Sequence, residues 1–219
     1  MKNKIIDILV LIFAALGELL AKISKLNKVL VGVLLLAIVC GLLSSGQVGA
    51  LQYRTMLLTG GGMWSATTAG SATNTKIERP TNDVDFYVLD FDASTDESAQ
   101  CTVAMPEGYL SNTPVYATVY WTTSSSDTSH TVYWDIVAQS YGDDDTLDGS
   151  WGTKVTVNDN VTAAYDMQKS AESTALTIAN TPARGDLVQF KITRDADNGS
   201  DDLTTDARLL MVKIRFAGN

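Results

Sequence analysis

Two cysteines and one histidine are all that this 219-residue chain brings to the commonest metal-binding and nucleophilic chemistries. Cys40 falls inside an apolar run and Cys101 inside a strand-like stretch, so no spacing supports a disulfide framework or a structural zinc site. Free cysteines of this kind behave as small hydrophobes. His130 is the one residue around which a Ser-His-Asp arrangement could form, and its neighbours Asp127 and Ser129 read as ordinary turn residues. Gly60-Gly61-Gly62 lacks the Lys-Ser/Thr that a phosphate loop requires and reads as a hinge. Acids are plentiful, yet no spacing singles out two for glycoside hydrolysis. No repeat of solenoid or propeller length is present. Neither an enzyme nor a bound cofactor is expected.

Charge is missing from one long stretch: no Asp, Glu, Lys or Arg lies between Val29 and Tyr53. The first 50 residues carry Lys2, Lys4, Lys22, Lys25 and Lys28 against Asp7 and Glu18, a net of +3. With −9 for the whole chain, residues 51–219 hold −12. A domain that acidic repels nucleic acid, which excludes DNA and RNA as expected partners.

The apolar part divides into two predicted helices. Over residues 5–26, Asp7, Glu18, Lys22 and Lys25 fall within about 60° of one another at 100° per residue, giving one charged stripe. Residues 29–43, including Val29, Leu35 and Leu43, form a second apolar run. A spanning helix needs about 20 residues, which the uncharged flank to Tyr53 supplies. Three readings stand: a membrane anchor through residues 5–43, a cleaved signal ending near Val48-Gly49-Ala50, or helices buried in a protein assembly.

From residue 51 onward the pattern changes to the two-residue period of strands. Residues 84–91, 99–105, 115–122, 131–139, 174–178, 187–194 and 208–216 are predicted strands, with weaker candidates at 51–58, 75–79 and 154–157. Val132, Trp134, Ile136 and Ala138 alternate with Tyr133, Asp135 and Val137. Leu210, Val212, Ile214 and Phe216 are expected to point inward in the last strand, so that one face packs and the other stays wet. Turns fall at residues 106–108, 124–129, 142–149, 184–186 and 195–202. The expected fold is mainly β: a jelly-roll-like antiparallel sandwich preceded by two N-terminal apolar helices. It is organised as 1–50 (anchor or assembly segment), 51–75 (linker and first strand) and 76–219 (acidic sandwich).

Two loops crowd carboxylates, Asp143, Asp144, Asp145 and Asp148 in one and Asp195, Asp197, Asp201 and Asp202 in the other. Neither has EF-hand spacing, and solvated turns are the expected reading. If calcium binds, Asp195, Asp197 and Asp201 are the candidate ligands, because Asn198-Gly199 allows a tight bend. Tyr109, Tyr116, Tyr120, Trp121, Tyr133 and Trp134 are expected mainly in the core or at subunit contacts. Trp64 and Trp151, in loop-like contexts, are the candidates for stacking on sugar rings.

Certain residues in order carry a family resemblance. Leu89-Asp90-Phe91-Asp92-Ala93-Ser94-Thr95-Asp96-Glu97 leads to Met105-Pro106 and then to Val119-Tyr120-Trp121 and Val132-Tyr133-Trp134. Next come Trp151-Gly152-Thr153, Asn180-Thr181-Pro182, Gly185-Asp186-Leu187-Val188 and Asp206-Ala207-Arg208-Leu209. This series, over about residues 63–216, resembles a β-domain recurring in virion structural proteins of tailed bacteriophages, as head or tail appendages and fibre tips. The resemblance implies a jelly-roll-like fold, a homotrimer, other virion proteins as partners, a place in the virion and a role in assembly or host-surface attachment, including host glycans. The alternative is a secreted or membrane-anchored carbohydrate-binding module of a bacterial envelope, its C-terminal domain outside.

Overall fold

The two-residue alternation becomes two facing sheets in the computed structural model, which describes residues 10–15, 17–18 and 51–219. The chain divides into two units, 1–50 and 51–219. In the first, residues 10–15 and 17–18 are helical. The remainder of the expected helix over 5–26, and all of 29–43 with Val29, Leu35 and Leu43, lie outside the described residues. Among the described residues no helix is long and apolar enough to cross a membrane.

The second unit is an antiparallel β-sandwich of twelve strands. They are β1 (Gln52–Thr59), β2 (Trp64–Ser65), β3 (Thr75–Arg79), β4 (Val84–Phe91), β5 (Glu97–Ala104), β6 (Val115–Thr122), β7 (Thr131–Tyr141), β8 (Val155–Asn160), β9 (Gln168–Lys169), β10 (Ile178–Ala179), β11 (Leu187–Arg194) and β12 (Ala207–Gly218). One sheet runs β3-β4-β12-β6-β9 with β1 also on β12; the other runs β10-β7-β11-β5-β2 with β8 also on β7. β10 alone pairs in parallel.

Inward-facing residues of both sheets meet in a single core. Leu89 and Phe91 come from β4, Val119 and Trp121 from β6, Val132, Trp134 and Ile136 from β7, and Val188, Phe190 and Ile192 from β11. Burying each large apolar side chain contributes about 1.5–3 kcal/mol. Trp134 sits at the centre, with the Phe91 ring edge-on at 5.1 Å and Trp121 at 6.4 Å, geometries that the ring quadrupoles favour.

β12 departs from simple alternation. Leu209, Val212, Ile214 and Phe216 are buried, whereas Leu210 is not. The register against β6 slips between Leu209 and Met211, leaving Leu210 as the extra residue of a bulge. A single inserted residue reverses which parity of side chains faces inward, so the expected inward set is corrected at Leu210. The residues read as a hinge are corrected as well. Gly60–Gly62 forms a 3-10 turn, and Gly60 is buried so tightly that a Cβ there would lie 2.6 Å from the Leu209 carbonyl.

The expected strand over 174–178 keeps only Ile178. Upstream of it the chain follows the edge of β6 through serines. Ser170 and Ser173 donate their N–H groups to the Val119 and Ala117 carbonyls, and their hydroxyls accept from the N–H of the same two residues. Serine oxygens there replace the backbone carbonyls of a regular ladder.

Arg194 closes the far end of β11. It is fully buried, and all five guanidinium N–H groups have acceptors: both Asp201 carboxylate oxygens at 3.2 and 2.8 Å, and the carbonyls of Phe91, Thr205 and Leu203 at 3.3, 2.9 and 2.6 Å. Asp201 also accepts from the Tyr133 N–H at 3.0 Å. A buried guanidinium is tolerated only with such complete pairing, and the pair holds the 195–206 segment onto the sandwich.

Candidate functional site

A broad concavity lies on the outer face of the second sheet. It encloses about 420 Å³, with Gln100 and Thr102 of β5, Gln189 of β11 and Gln139 of β7 among its lining and Trp151 and Asp148 on the 142–153 loop beside it. Ladder register explains why these side chains converge. Gln189 pairs with Thr102 on one side and Gln139 on the other, and Lys191 pairs with Gln100 and Val137. Residues directly opposite each other on neighbouring strands share a face. Trp64 pairs with Gln100, so it stands on that face too, 49% exposed on the short strand β2.

The two tryptophans singled out in the sequence therefore flank one platform. Trp64 is separated from Lys191 by two strand spacings, about 10 Å, and the Lys191 ammonium sits 5.2 Å from the Trp151 ring centroid. Gly152 fixes Trp151 in this place. Its N–H donates to the Ala138 carbonyl at 3.0 Å, and a Cβ would lie only 1.8 Å from the Thr177 carbonyl. Only a glycine lets the chain pass so close to both.

The floor is polar and mostly uncharged. Gln189 Nε2 donates to Gln100 Oε1 at 2.8 Å, and the Thr102 hydroxyl donates to Gln189 Oε1. At the rim, Tyr141 donates its hydroxyl to the Leu147 carbonyl at 3.1 Å, and the Gly142 N–H donates to Asp145 at 2.8 Å. That acidic loop is thus a hydrogen-bonded turn with solvent-exposed carboxylates. The amides were not legible as a site in the sequence, because Gln100, Gln139 and Gln189 belong to three separate strands.

A smaller hollow of about 110 Å³ on the outside of the first sheet is lined by Ile77, Phe86, Tyr165, Met167 and Leu210, with Arg79 over the Tyr165 ring at 4.1 Å. Its lining is mainly apolar and offers little to a polyhydroxylated ligand.

The acidic loop near β11 is arranged differently from the expected ligand set. Asp201 is committed to Arg194. The carboxylates that approach within 4.8 Å are Asp96, Asp195 and Asp197. Burial pushes Asp195 upward, but hydrogen bonds from Asn198 and Lys154 outweigh it and hold the group below the ordinary carboxylate range. Asp197 is raised, chiefly by the charge of Asp96. Lys154 already bridges Asp195 at 3.4 Å and Asp135 at 2.6 Å, so a cation of the protein's own faces this cluster.

Other candidates resolve into structural roles. Trp121, Trp134 and Tyr109 are buried, and Tyr116 stacks on the Arg215 guanidinium at 4.3 Å. His130 Nε2 lies 3.8 Å from Asp127, while the Ser129 hydroxyl donates to Asp127 at 2.7 Å and so is not held by the imidazole. Burial drives the Cys101 thiol up to about 12, far from a reactive thiolate.

No protein-family model matches the chain, and no curated protein does. Among solved structures, similarity extends to the CBM22-2 xylan-binding domain of Xyn10C from Paenibacillus barcinonensis (11% identity, 75% of this chain and 99% of that one, TM-score 0.44). A family 35 carbohydrate-binding module from Clostridium thermocellum is similar at 12% identity, over 74% and 97% of the two chains, with a TM-score of 0.39. The mannan-recognising module TmCBM27 follows at 9% identity, over 75% and 98%, with a TM-score of 0.36. Residues 51–219 form a β-sandwich of two sheets.

Proposed function

We propose that residues 51–219 form a non-catalytic carbohydrate-binding module that takes a glycan chain across the outer face of the second sheet. The observation that carries this reading is a cleft floored by glutamines and lined by Trp151, with Trp64 on the same sheet face in register with the lining residue Gln100. Aromatic faces stack on the C–H faces of pyranose rings, and amides and hydroxyls supply the paired donors and acceptors that sugar hydroxyls need. This favours the carbohydrate-module alternative over a virion appendage, to which the cleft lends no support of its own. An anchor through residues 5–43 would set the module on a cell envelope.

Affinity electrophoresis and calorimetry of the full chain against xylan, mannan, β-glucan and galactan test it. Trp64→Ala and Trp151→Ala are each expected to weaken binding about two- to tenfold, the equivalent of one aromatic contact, with thermal unfolding unchanged. A wild-type protein that binds none of the four, or a double variant that binds as tightly as wild type, would overturn the reading.

A further inference from the structure

One amide in the cleft is out of keeping with the rest. Gln139 is 1% exposed, lines the cleft, and its Nε2 has no hydrogen-bond partner among the described residues. Its register neighbour Gln189 is tied to Gln100 and Thr102 on the other side. A buried donor left without an acceptor is destabilising, and the surroundings do not relieve it. The Ala138 carbonyl is taken by the Gly152 N–H, and the Ser140 carbonyl by Asn180 Nδ2 at 3.2 Å. The Ser140 hydroxyl donates to Asp186 at 3.2 Å. Gly149, on the 142–149 loop, caps the amide so closely that a Cβ there would lie 1.8 Å from Gln139 Nε2.

We propose that Gln139 is the ligand-reading group of the cleft. When the 142–149 loop shifts off it, the amide N–H pairs with a hydroxyl oxygen of a bound, uncharged glycan. This rests on the carbohydrate-binding reading and adds to it a residue and a ligand class. The loop carrying Gly149 holds Asp143, Asp144, Asp145 and Asp148, all exposed, so little buried surface opposes its displacement. Asp148 on the rim and the −12 of residues 51–219 both disfavour an anionic chain. A site built around a buried amide also discriminates against ligands lacking a hydroxyl there, because the amide then stays unpaired.

The test is Gln139→Leu in the full chain, which keeps the approximate shape and removes the polar end. Calorimetry against xylan, mannan, β-glucan and galactan is read beside thermal unfolding. The expected result is an unchanged or higher melting temperature together with about tenfold weaker binding, one hydrogen bond's worth. A purely structural role predicts the reverse: a lower melting temperature with affinity retained. If Gln139→Leu does not fold, Gln139→Met serves the same comparison. Wild-type binding that falls in Trp151→Ala but not in the Gln139 variants overturns this inference alone. Absence of wild-type binding to all four polysaccharides overturns the reading beneath it as well.

Discussion

Removing the carboxylate of Asp201 tests how the sandwich holds the polar loop between β11 and β12. In Asp201→Ala, Arg194 keeps three carbonyl acceptors but loses the carboxylate it is ion-paired with and two of its hydrogen bonds. The guanidinium is fully buried, so it cannot turn to water for compensation. Breaking one side of a buried ion pair costs about 3–5 kcal/mol. For a domain of this size, 1 kcal/mol moves the melting temperature by about 2–4 °C, so a fall of about 6–20 °C is expected. Urea and thermal unfolding followed by tryptophan fluorescence suit the measurement, because Trp121 and Trp134 lie in the core. The Tyr133 N–H also loses an acceptor, and Tyr133 neighbours Trp134 in β7, so the loss should register as a shift of the core emission. Arg194→Met leaves Asp201 buried without its cation and should cost a similar amount. The double variant should lose clearly less than the sum of the two, since neither charge is then stranded. Additive losses, or a single-variant cost below about 1 kcal/mol, would refute the assignment of this pair as a buried, coupled unit.

Two further predictions follow from close approaches and charge. Gly60→Ala places a Cβ 2.6 Å from the Leu209 carbonyl, a backbone atom beside the β12 bulge that cannot swing away; overpacking of this kind costs about 1–3 kcal/mol, read as a lower urea midpoint at unchanged slope. Asp96→Asn removes the charge that raises Asp197, so the variant should melt higher than wild type at neutral pH. Because the folded-state pKa of Asp197 lies above its unfolded value, the repulsion acts above the carboxylate range and is relieved as pH falls through it. The advantage of Asp96→Asn should therefore shrink on acidification, and an advantage that stays constant with pH would show that charge is not its source.

The strands were largely legible because half-buried strands carry their own periodicity. The bounds of β3, β4, β6 and β11 coincide with the predicted segments, and Val132, Trp134, Ile136 and Ala138 point inward as their alternation requires. Alternation failed at Leu210 for a definite reason: a bulge adds one residue to the strand, and no composition signal marks it. Short pairings such as β2 and β9 escaped notice because two residues carry no period. The serine segment along β6 carries no strand signal in the sequence, because its hydrogen bonds use side-chain oxygens in place of backbone carbonyls.

For the candidate site, the chain by itself singled out Trp64 and Trp151, although Trp64 lies on the short strand β2 and not in a loop, and it predicted an acidic β-rich domain. It could not place them together, since 87 positions separate them in the chain. Only the tertiary structure decided that β2, β5, β11 and β7 lie side by side, in a register that puts Trp64, Gln100 and Lys191 in one row and Thr102, Gln189 and Gln139 in the next. It likewise transferred Asp201 from a candidate calcium site to Arg194 and brought Asp96 to Asp195 and Asp197 in its stead. The physical reason is the same throughout. Periodicity reports which face of one strand is dry, whereas a binding surface depends on which strands are neighbours, and that is set by long-range pairing and core packing.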